Sequence, residues 1–343
     1  MTPVKLINPV FHGGGLDAAI AQWGGDKANW LDLSTGINPN PYSNLRVDIG
    51  SFSRLPDSGT KAELLDAARA YYGLDDNAHL IAGNGTQALI EILPKALGAQ
   101  KIGIISPTYG EHAHVWKKAG AEVLELDSDG ELPRVLDTLD ALVVVNPNNP
   151  TAQCFEPEQL REFAKHLSKN NGTLIVDEAF CDTRPELSLA DALPENAIVL
   201  KSIGKFFGLA GIRLGFAACH GKHMPMIEQH IGPWMVNGVA LEVGTRALKD
   251  TLWQTRTIET LNELSDNQST VLKNSGLKIS GANALFIYVE HAKANKIFEG
   301  LAKRNILVRQ FKEREGFLRI GLCKDQTQLD RLDKALNEVM ANV

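Results

Sequence analysis

Four short runs of the chain are apolar at consecutive positions: 101–105 (KIGII), 141–145 (ALVVV), 173–176 (TLIV) and 197–200 (AIVL). A strand with one face in water alternates apolar and polar positions, so runs without alternation belong to strands covered on both faces. Between them the apolar spacing switches to i, i+3, i+4 over 86–97 (TQALIEILPKAL) and 157–169 (PEQLREFAKHLSK), which predicts helices. An earlier helix is predicted over 61–73 (KAELLDAARAYYG), stopping at Gly73. Helices alternating with doubly covered strands predict an α/β fold around a mostly parallel sheet. Ligands of such sheets bind beyond the carboxyl ends of the strands.

The flanks read differently. Residues 1–55 are broken by Gly, Pro and Asn, including LDLSTGINPNPY at 31–42, and are expected to be loop. From about 235 to 275 the chain reads as helical, followed by LFIYVE (285–290), a helix near 291–304, ILVRQ, FLRIGL and a last helix. That succession predicts a small α+β unit. The expected division is an N-terminal segment 1–45 associated with the small domain and the active site, a large domain 46–250, and a small domain 251–343.

Composition narrows the function classes. A net charge of −6 with no basic stripe argues against a nucleic-acid partner. Cys154, Cys181, Cys219 and Cys323 lie far apart with no C-x-x-C pair, and the histidines show no ligand spacing, so neither a disulfide framework nor a metal site is expected. No apolar run approaches the roughly 18 residues of a membrane span, and MTPVKLINPVFHGGG lacks a leader's apolar stretch. A soluble, cytoplasmic protein without membrane partners is the expectation.

Two strand ends carry the candidate chemistry. Asp177 stands where GTLIVDEAF leaves its apolar run, and Lys205 lies just past the next run, in AIVLKSIGKFFG. Asn149 and Asp177 are 28 residues apart, as are Asp177 and Lys205, and each interval fits one helix plus one strand. All three could therefore meet along one sheet edge. A lysine for a Schiff base, an acid to keep a ring nitrogen protonated and an amide for a phenolic oxygen together describe a pyridoxal 5′-phosphate site. The run HLIAGNGTQALIEIL passes from a short strand through Gly83-Asn84-Gly85-Thr86 into a helix whose N-terminal N–H groups could take the cofactor phosphate. Ser202 and Arg213 could add phosphate contacts. Tyr109, just past a strand end, could stack on a pyridine ring. Arg309 and Arg319, near strand-like runs of the small unit, could pair with a substrate carboxylate or phosphate. Gly83-x-Gly85-x-x-Ala88 also fits a dinucleotide fingerprint, but the following strand ends in Ser106-Pro107 without the acid a dehydrogenase needs.

NPNNPTA, DEAF and SIGKFFGLAGIRLGF resemble the three signatures of fold type I, aspartate-aminotransferase-like pyridoxal-phosphate enzymes, over nearly the whole chain. The branch they resemble is that of the histidinol-phosphate aminotransferases. Within it, His12-Gly13-Gly14, LDLSTGINP and GPWMVN are similar to the threonine-phosphate decarboxylases of cobalamin synthesis. The resemblance implies that Lys205 carries the cofactor, Asp177 pairs with the pyridine nitrogen, Asn149 binds the phenolic oxygen and Tyr109 stacks on the ring. It implies Gly85, Thr86, Ser202 and Arg213 at the cofactor phosphate, and His12, Gly36, Asn38, Asn149, Arg309 and Arg319 around a phosphorylated amino-acid substrate. It also implies a homodimer. Phe180 and Leu55 stand where many relatives carry tyrosines, which departs from the aminotransferase pattern.

The implied activity is decarboxylation of L-threonine O-3-phosphate; transamination of histidinol phosphate with 2-oxoglutarate is the alternative. The residues do not decide which bond at Cα breaks. A third reading, a non-catalytic regulator on this fold, lacks the basic helix-turn-helix segment that such proteins carry in front.

Overall fold

The computed structural model describes residues 13–127, 130–311 and 313–343. Among the described residues the strands are β1 (Leu31–Leu33), β2 (His79–Gly83), β3 (Lys101–Ile105), β4 (Glu122–Leu126), β5 (Ala141–Val145), β6 (Thr173–Asp177), β7 (Ala197–Ser202), β8 (Gly215–Cys219), β9 (Lys278–Asn283), β10 (Phe286–Glu290), β11 (Ile306–Gln310) and β12 (Phe317–Gly321). The contacts divide the chain into two compact units.

The first unit contains Tyr42–Asn149 and Gln153–Thr251. Its sheet has seven strands in the order β2-β8-β7-β6-β5-β3-β4. β4, β3, β5, β6 and β7 run parallel, and β8 is antiparallel to both β7 and β2. The four apolar runs of the sequence are four of these strands, and β5, β6 and β7 are buried at every position. Ile90, Leu93 and Trp116 from the helices Gly85–Leu97 and Glu111–Lys118 pack against Ile102, Val143 and Ile175 of the sheet. The helix Pro157–Ser168 opens on a capping box between Glu156 and Gln159. The helix Ser58–Tyr72 ends at Gly73 in the left-handed conformation, φ 66°.

One expectation changes. The interval from Asp177 to Lys205 contains no helix of the kind that separates Asn149 from Asp177. Three short 3₁₀ turns replace it, at Cys181–Thr183, Pro185–Leu187 and Ala190–Ala192. A buried ion pair holds this irregular stretch. Glu178 accepts hydrogen bonds from Lys201 Nζ, from Ser188 Oγ at 2.7 Å and from the Leu189 N–H at 2.7 Å. Lys201 Nζ also donates to Ser188 Oγ at 2.8 Å and lies over the Tyr72 ring. Burial pushes the neighbouring Asp182 carboxyl up to about 6, opposed by the Lys201 charge.

The second unit comprises the described part of Phe11–Pro41, with Pro150–Ala152 and Leu252–Val343. Its five-stranded sheet runs β1-β11-β12-β10-β9. The segment LDLSTGINPNPY, read as loop, supplies β1, which pairs in parallel with β11. Leu33, Ile287, Ile297, Leu318, Leu332 and Leu336 sit in the core between this sheet and its helices. Gly281 on β9 is a required glycine, because a Cβ there would meet the Thr151 carbonyl oxygen at 1.9 Å. Among the described residues no helix is long and apolar enough to cross a membrane.

Removing one partner of a buried ion pair leaves an uncompensated charge and costs about 3–5 kcal/mol. Lys201→Met is expected to destabilise the protein by that amount in urea unfolding, and Lys201→Arg by much less. Equal stability of Lys201→Met and the parent would show that the pair does not hold the 178–192 stretch.

Candidate active site

The carboxyl ends of β5, β6 and β7 lie side by side, with Val145, Asp177 and Leu200 in one row of the register. Asp177 ends β6 at 3% exposure. Its Oδ1 accepts from the Ala179 N–H at 3.0 Å, and its Oδ2 lies 2.9 Å from His112 Nε2. His112 is buried in the first turn of the helix Glu111–Lys118, edge-on to the Tyr109 ring at 6.0 Å between centroids. The Tyr109 hydroxyl donates to Gln87 Oε1 at 3.1 Å. Burial, then the charges of Glu111 and Asp177, hold that phenol well above its usual pKa.

The loops after β3 and β5 are tied together by Asn148. Its Oδ1 accepts from the Thr108 hydroxyl at 2.6 Å and its Nδ2 donates to the Pro107 carbonyl at 2.9 Å. This sets Tyr109 on one loop and Asn149 on the next. Lys205 lies past β7, its Nζ 5.4 Å from the centroid of the Phe180 ring.

A second row of the register, Gly83 on β2, Gly215 on β8 and Ser202 on β7, lies beside the start of the helix Gly85–Leu97. The backbone approaches closely here: a Cβ on Gly215 would meet the Thr86 nitrogen at 2.5 Å. Gly85 has φ +74°, and a Cβ on it would meet Arg213 Nη2 at 2.6 Å. The guanidinium of Arg213, itself at φ 57°, is thus laid against the helix N-terminus. Ser202 Oγ accepts from the Gly204 N–H at 3.2 Å. A helix N-terminus, a guanidinium against it and a neighbouring hydroxyl are the donor set of a phosphate site. With Asp177, Asn149 and Lys205 at the adjoining strand ends, the residues fit pyridoxal 5′-phosphate.

The second unit carries the other candidates. Arg309 on β11 and Arg319 on β12 are directly opposed in the antiparallel register and are 8% and 7% exposed. Burial and then the Arg309 charge lower the Arg319 guanidinium to about 10, and burial lowers Arg309 as well. Their guanidinium groups lie over the rings of Phe311 and Phe286 respectively, each at 5.2 Å. Arg319 Nη2 donates to the Ser34 carbonyl at 2.7 Å. Gly36 and Asn38 follow on the same loop, and the buried Asn38 accepts from the Asn40 N–H at 2.8 Å. His12 lies outside the described residues.

Sequence reasoning missed His112, Gln87 and Asn148. The partner of His112 is 65 residues away, and the available signal was its place three residues after Tyr109. The dinucleotide reading fails on topology too, because β2 is an edge strand antiparallel to its neighbour.

The model of the aminotransferase class I and II family matches residues 28–336. The chain belongs to that family. Relatives within it include a threonine-phosphate decarboxylase of Pseudomonas aeruginosa, 41% identical, covering 95% of this chain and 96% of that one. A second threonine-phosphate decarboxylase, from Sinorhizobium sp., is 37% identical over 96% of this chain and 98% of its own. Among solved structures, the histidinol-phosphate aminotransferase of Sinorhizobium meliloti in complex with pyridoxal-5′-phosphate shares the family fold. Its TM-score is 0.84 at 20% identity, covering 100% of this chain and 98% of that one.

Gly85→Ala places a Cβ in the arginine contact at a left-handed backbone position, a strain of about 1–3 kcal/mol. It is expected to weaken pyridoxal phosphate binding about tenfold or more in an absorbance titration, with helix content unchanged. Unaltered affinity would remove the Gly85–Arg213 cradle from the site.

Proposed function

We propose that this chain is a pyridoxal-phosphate-dependent decarboxylase that converts L-threonine O-3-phosphate to (R)-1-aminopropan-2-yl phosphate and carbon dioxide in cobalamin biosynthesis. The observation that carries this reading is the likeness, over nearly the full length of both chains, to threonine-phosphate decarboxylases at 41% and 37% identity. The opposed arginines supply matching chemistry, since the substrate bears both a phosphate and a carboxylate.

Pyridoxal phosphate, when bound, supplies a ring system that takes up the electron pair left by a broken bond at the substrate's Cα. The chain's own residues do the rest. Gly85, Thr86, Ser202 and Arg213 hold the cofactor's phosphate. Asn149 would hold its phenolic oxygen and Tyr109 would support its ring. Asp177 would keep a proton on the pyridine nitrogen, its carboxyl held in place by the Ala179 N–H and by contact with His112 Nε2. Arg309 and Arg319, with His12, Gly36 and Asn38, bind and orient the substrate, so that the bond to the carboxylate is the one that breaks. Lys205 would hold the cofactor and, once the substrate's amine has displaced it, would return a proton to Cα where carbon dioxide has left.

The enzyme acts as a homodimer in the cytoplasm. Supporting a second copy, Leu45, Ile49, Phe52, Leu55 and Trp234 of the first unit are all more than half exposed, apolar side chains that a partner could cover.

The purified holoenzyme is expected to release carbon dioxide from L-threonine O-3-phosphate over many turnovers with no keto-acid acceptor. Amino transfer from histidinol phosphate to 2-oxoglutarate, without carbon dioxide release, would replace the decarboxylase by the aminotransferase. Arg319→Ala is expected to raise KM for threonine phosphate at least tenfold while the cofactor spectrum persists, since breaking a charge-assisted contact costs about 1.5–3 kcal/mol. Loss of the spectrum would put Arg319 in the cofactor site or the fold. For the assembly, light scattering should give a dimer mass, and Phe52→Glu should shift it toward monomer; a monomeric parent at micromolar concentration would remove the dimer.

A further inference from the structure

The buried arginine of β12 is fixed by Ser34, a residue of the LDLSTGINP segment to which the resemblance assigns no role. Ser34 directly follows β1 and opens the turn after it, and all three of its polar groups are engaged within the second unit. Its N–H and hydroxyl both donate to Asp32 Oδ1, at 2.9 and 2.6 Å. The hydroxyl oxygen accepts from the Gly14 N–H at 2.7 Å. Its carbonyl accepts from Arg319 Nη2 at 2.7 Å. Asp32 thereby orients the hydroxyl toward the Gly14 amide, since a hydroxyl that donates in one direction presents its lone pairs in the others.

Two glycines make room for this turn. A Cβ on Gly13 would meet the Ser34 carbonyl oxygen at 2.3 Å and Arg319 Nη2 at 3.5 Å. A Cβ on Gly321, two residues beyond Arg319, would meet the Thr35 carbonyl oxygen at 2.3 Å. The backbone at 34–35 therefore lies against β12 on one side and the glycine pair on the other, in places no side chain could share. The Phe286 ring supports the same guanidinium.

We propose that Ser34 is a positioning residue for substrate recognition. It latches the Gly13-Gly14 segment to the turn whose carbonyl aims Arg319, so that the N-terminal segment and the arginine present one anion-binding surface for the phosphorylated amino acid. The proposal rests on the substrate role assigned above to Arg319.

The test uses full-length holoenzyme with Ser34→Ala, which removes the hydroxyl and keeps the carbonyl, and Gly13→Ala, which crowds that carbonyl. Both are expected to raise KM for L-threonine O-3-phosphate several-fold to tenfold, and to weaken competitive inhibition by inorganic phosphate by a similar factor. In Ser34→Ala, kcat should stay within about threefold and the cofactor spectrum and melting temperature close to the parent's, the scale being one lost hydrogen bond; in Gly13→Ala, where the backbone must shift, the cofactor spectrum should persist at a lower melting temperature. Amide exchange at Gly14 should quicken by about the same factor in Ser34→Ala. Ser34→Thr, which restores the hydroxyl, should recover most of the KM. If Arg319→Ala raises KM while Ser34→Ala and Gly13→Ala leave it unmoved, the positioning role is overturned. A melting temperature that falls together with cofactor binding overturns it as well, in favour of a general structural role. If Arg319→Ala itself leaves KM unmoved, the substrate reading has fallen and with it the recognition role of Ser34. The exchange rate at Gly14 then still decides the latch.

Discussion

A carboxyl group removed from water either takes up a proton or is surrounded by donors, and much of the first unit is arranged so that Asp177 has donors. Two of them, the Ala179 N–H and the His112 ring, come from the turn after β6 and from a helix that follows β3. The helix can deliver His112 because β3 and β6 both flank β5 in the parallel sheet, which brings a segment 65 residues distant to the end of β6. The same helix start carries Tyr109, whose phenol is held protonated first by burial and then by Glu111 and Asp177. On the opposite face of the strand end, Glu178 and Lys201 fasten the chain that leaves β6 to the strand that leads to Ser202 and Lys205. The carboxylate, the aromatic ring and the lysine are therefore set by one sheet edge.

What was legible in the sequence follows from how local each signal is. The runs at 101–105, 141–145, 173–176 and 197–200 announced strands because burial on both faces leaves no polar positions to confuse the pattern. Leu31–Leu33 did not, because a three-residue strand among Gly, Pro and Asn exists only through its pairing with β11. β9 was also missed: its exposure alternates and Gly281 interrupts it, a glycine required by Thr151, 130 positions earlier. The equal spacings around Asp177 suggested a shared edge, although the second interval holds 3₁₀ turns where a helix was expected. Asn149, Asp177 and Lys205 could be singled out since strand ends and signature motifs mark them locally. The partner of His112 is 65 residues away, so the chain beside it reports little of its use; Ser34 meets Asp32 nearby, but its contact with Arg319 spans 285 residues.

The opposed arginines of the second unit pose the converse problem. Two guanidinium groups facing each other on neighbouring strands repel, and burial raises the cost of both charges; the lowering of Arg319 to about 10, with Arg309 as its second cause, records that penalty. Aromatic faces and the Ser34 carbonyl offset part of it. An anion placed against the pair would relieve the remainder, which is the electrostatic basis of the substrate role proposed for them.

The choice between losing carbon dioxide and losing a proton at Cα depends on which group is held and on what stands ready to protonate. Phe180 bears on the second requirement. It places a ring without a hydroxyl beside Lys205 Nζ, at 5.4 Å from the centroid. A tyrosine there could hydrogen-bond to groups around the lysine; phenylalanine presents a ring face to it instead. Decarboxylation ends with protonation of Cα, for which an ammonium at that position is the useful state, whereas abstraction of a Cα proton begins with a free amine. Phenylalanine at 180 leaves no phenol there to compete with the lysine as proton donor, which suits the proposed reaction.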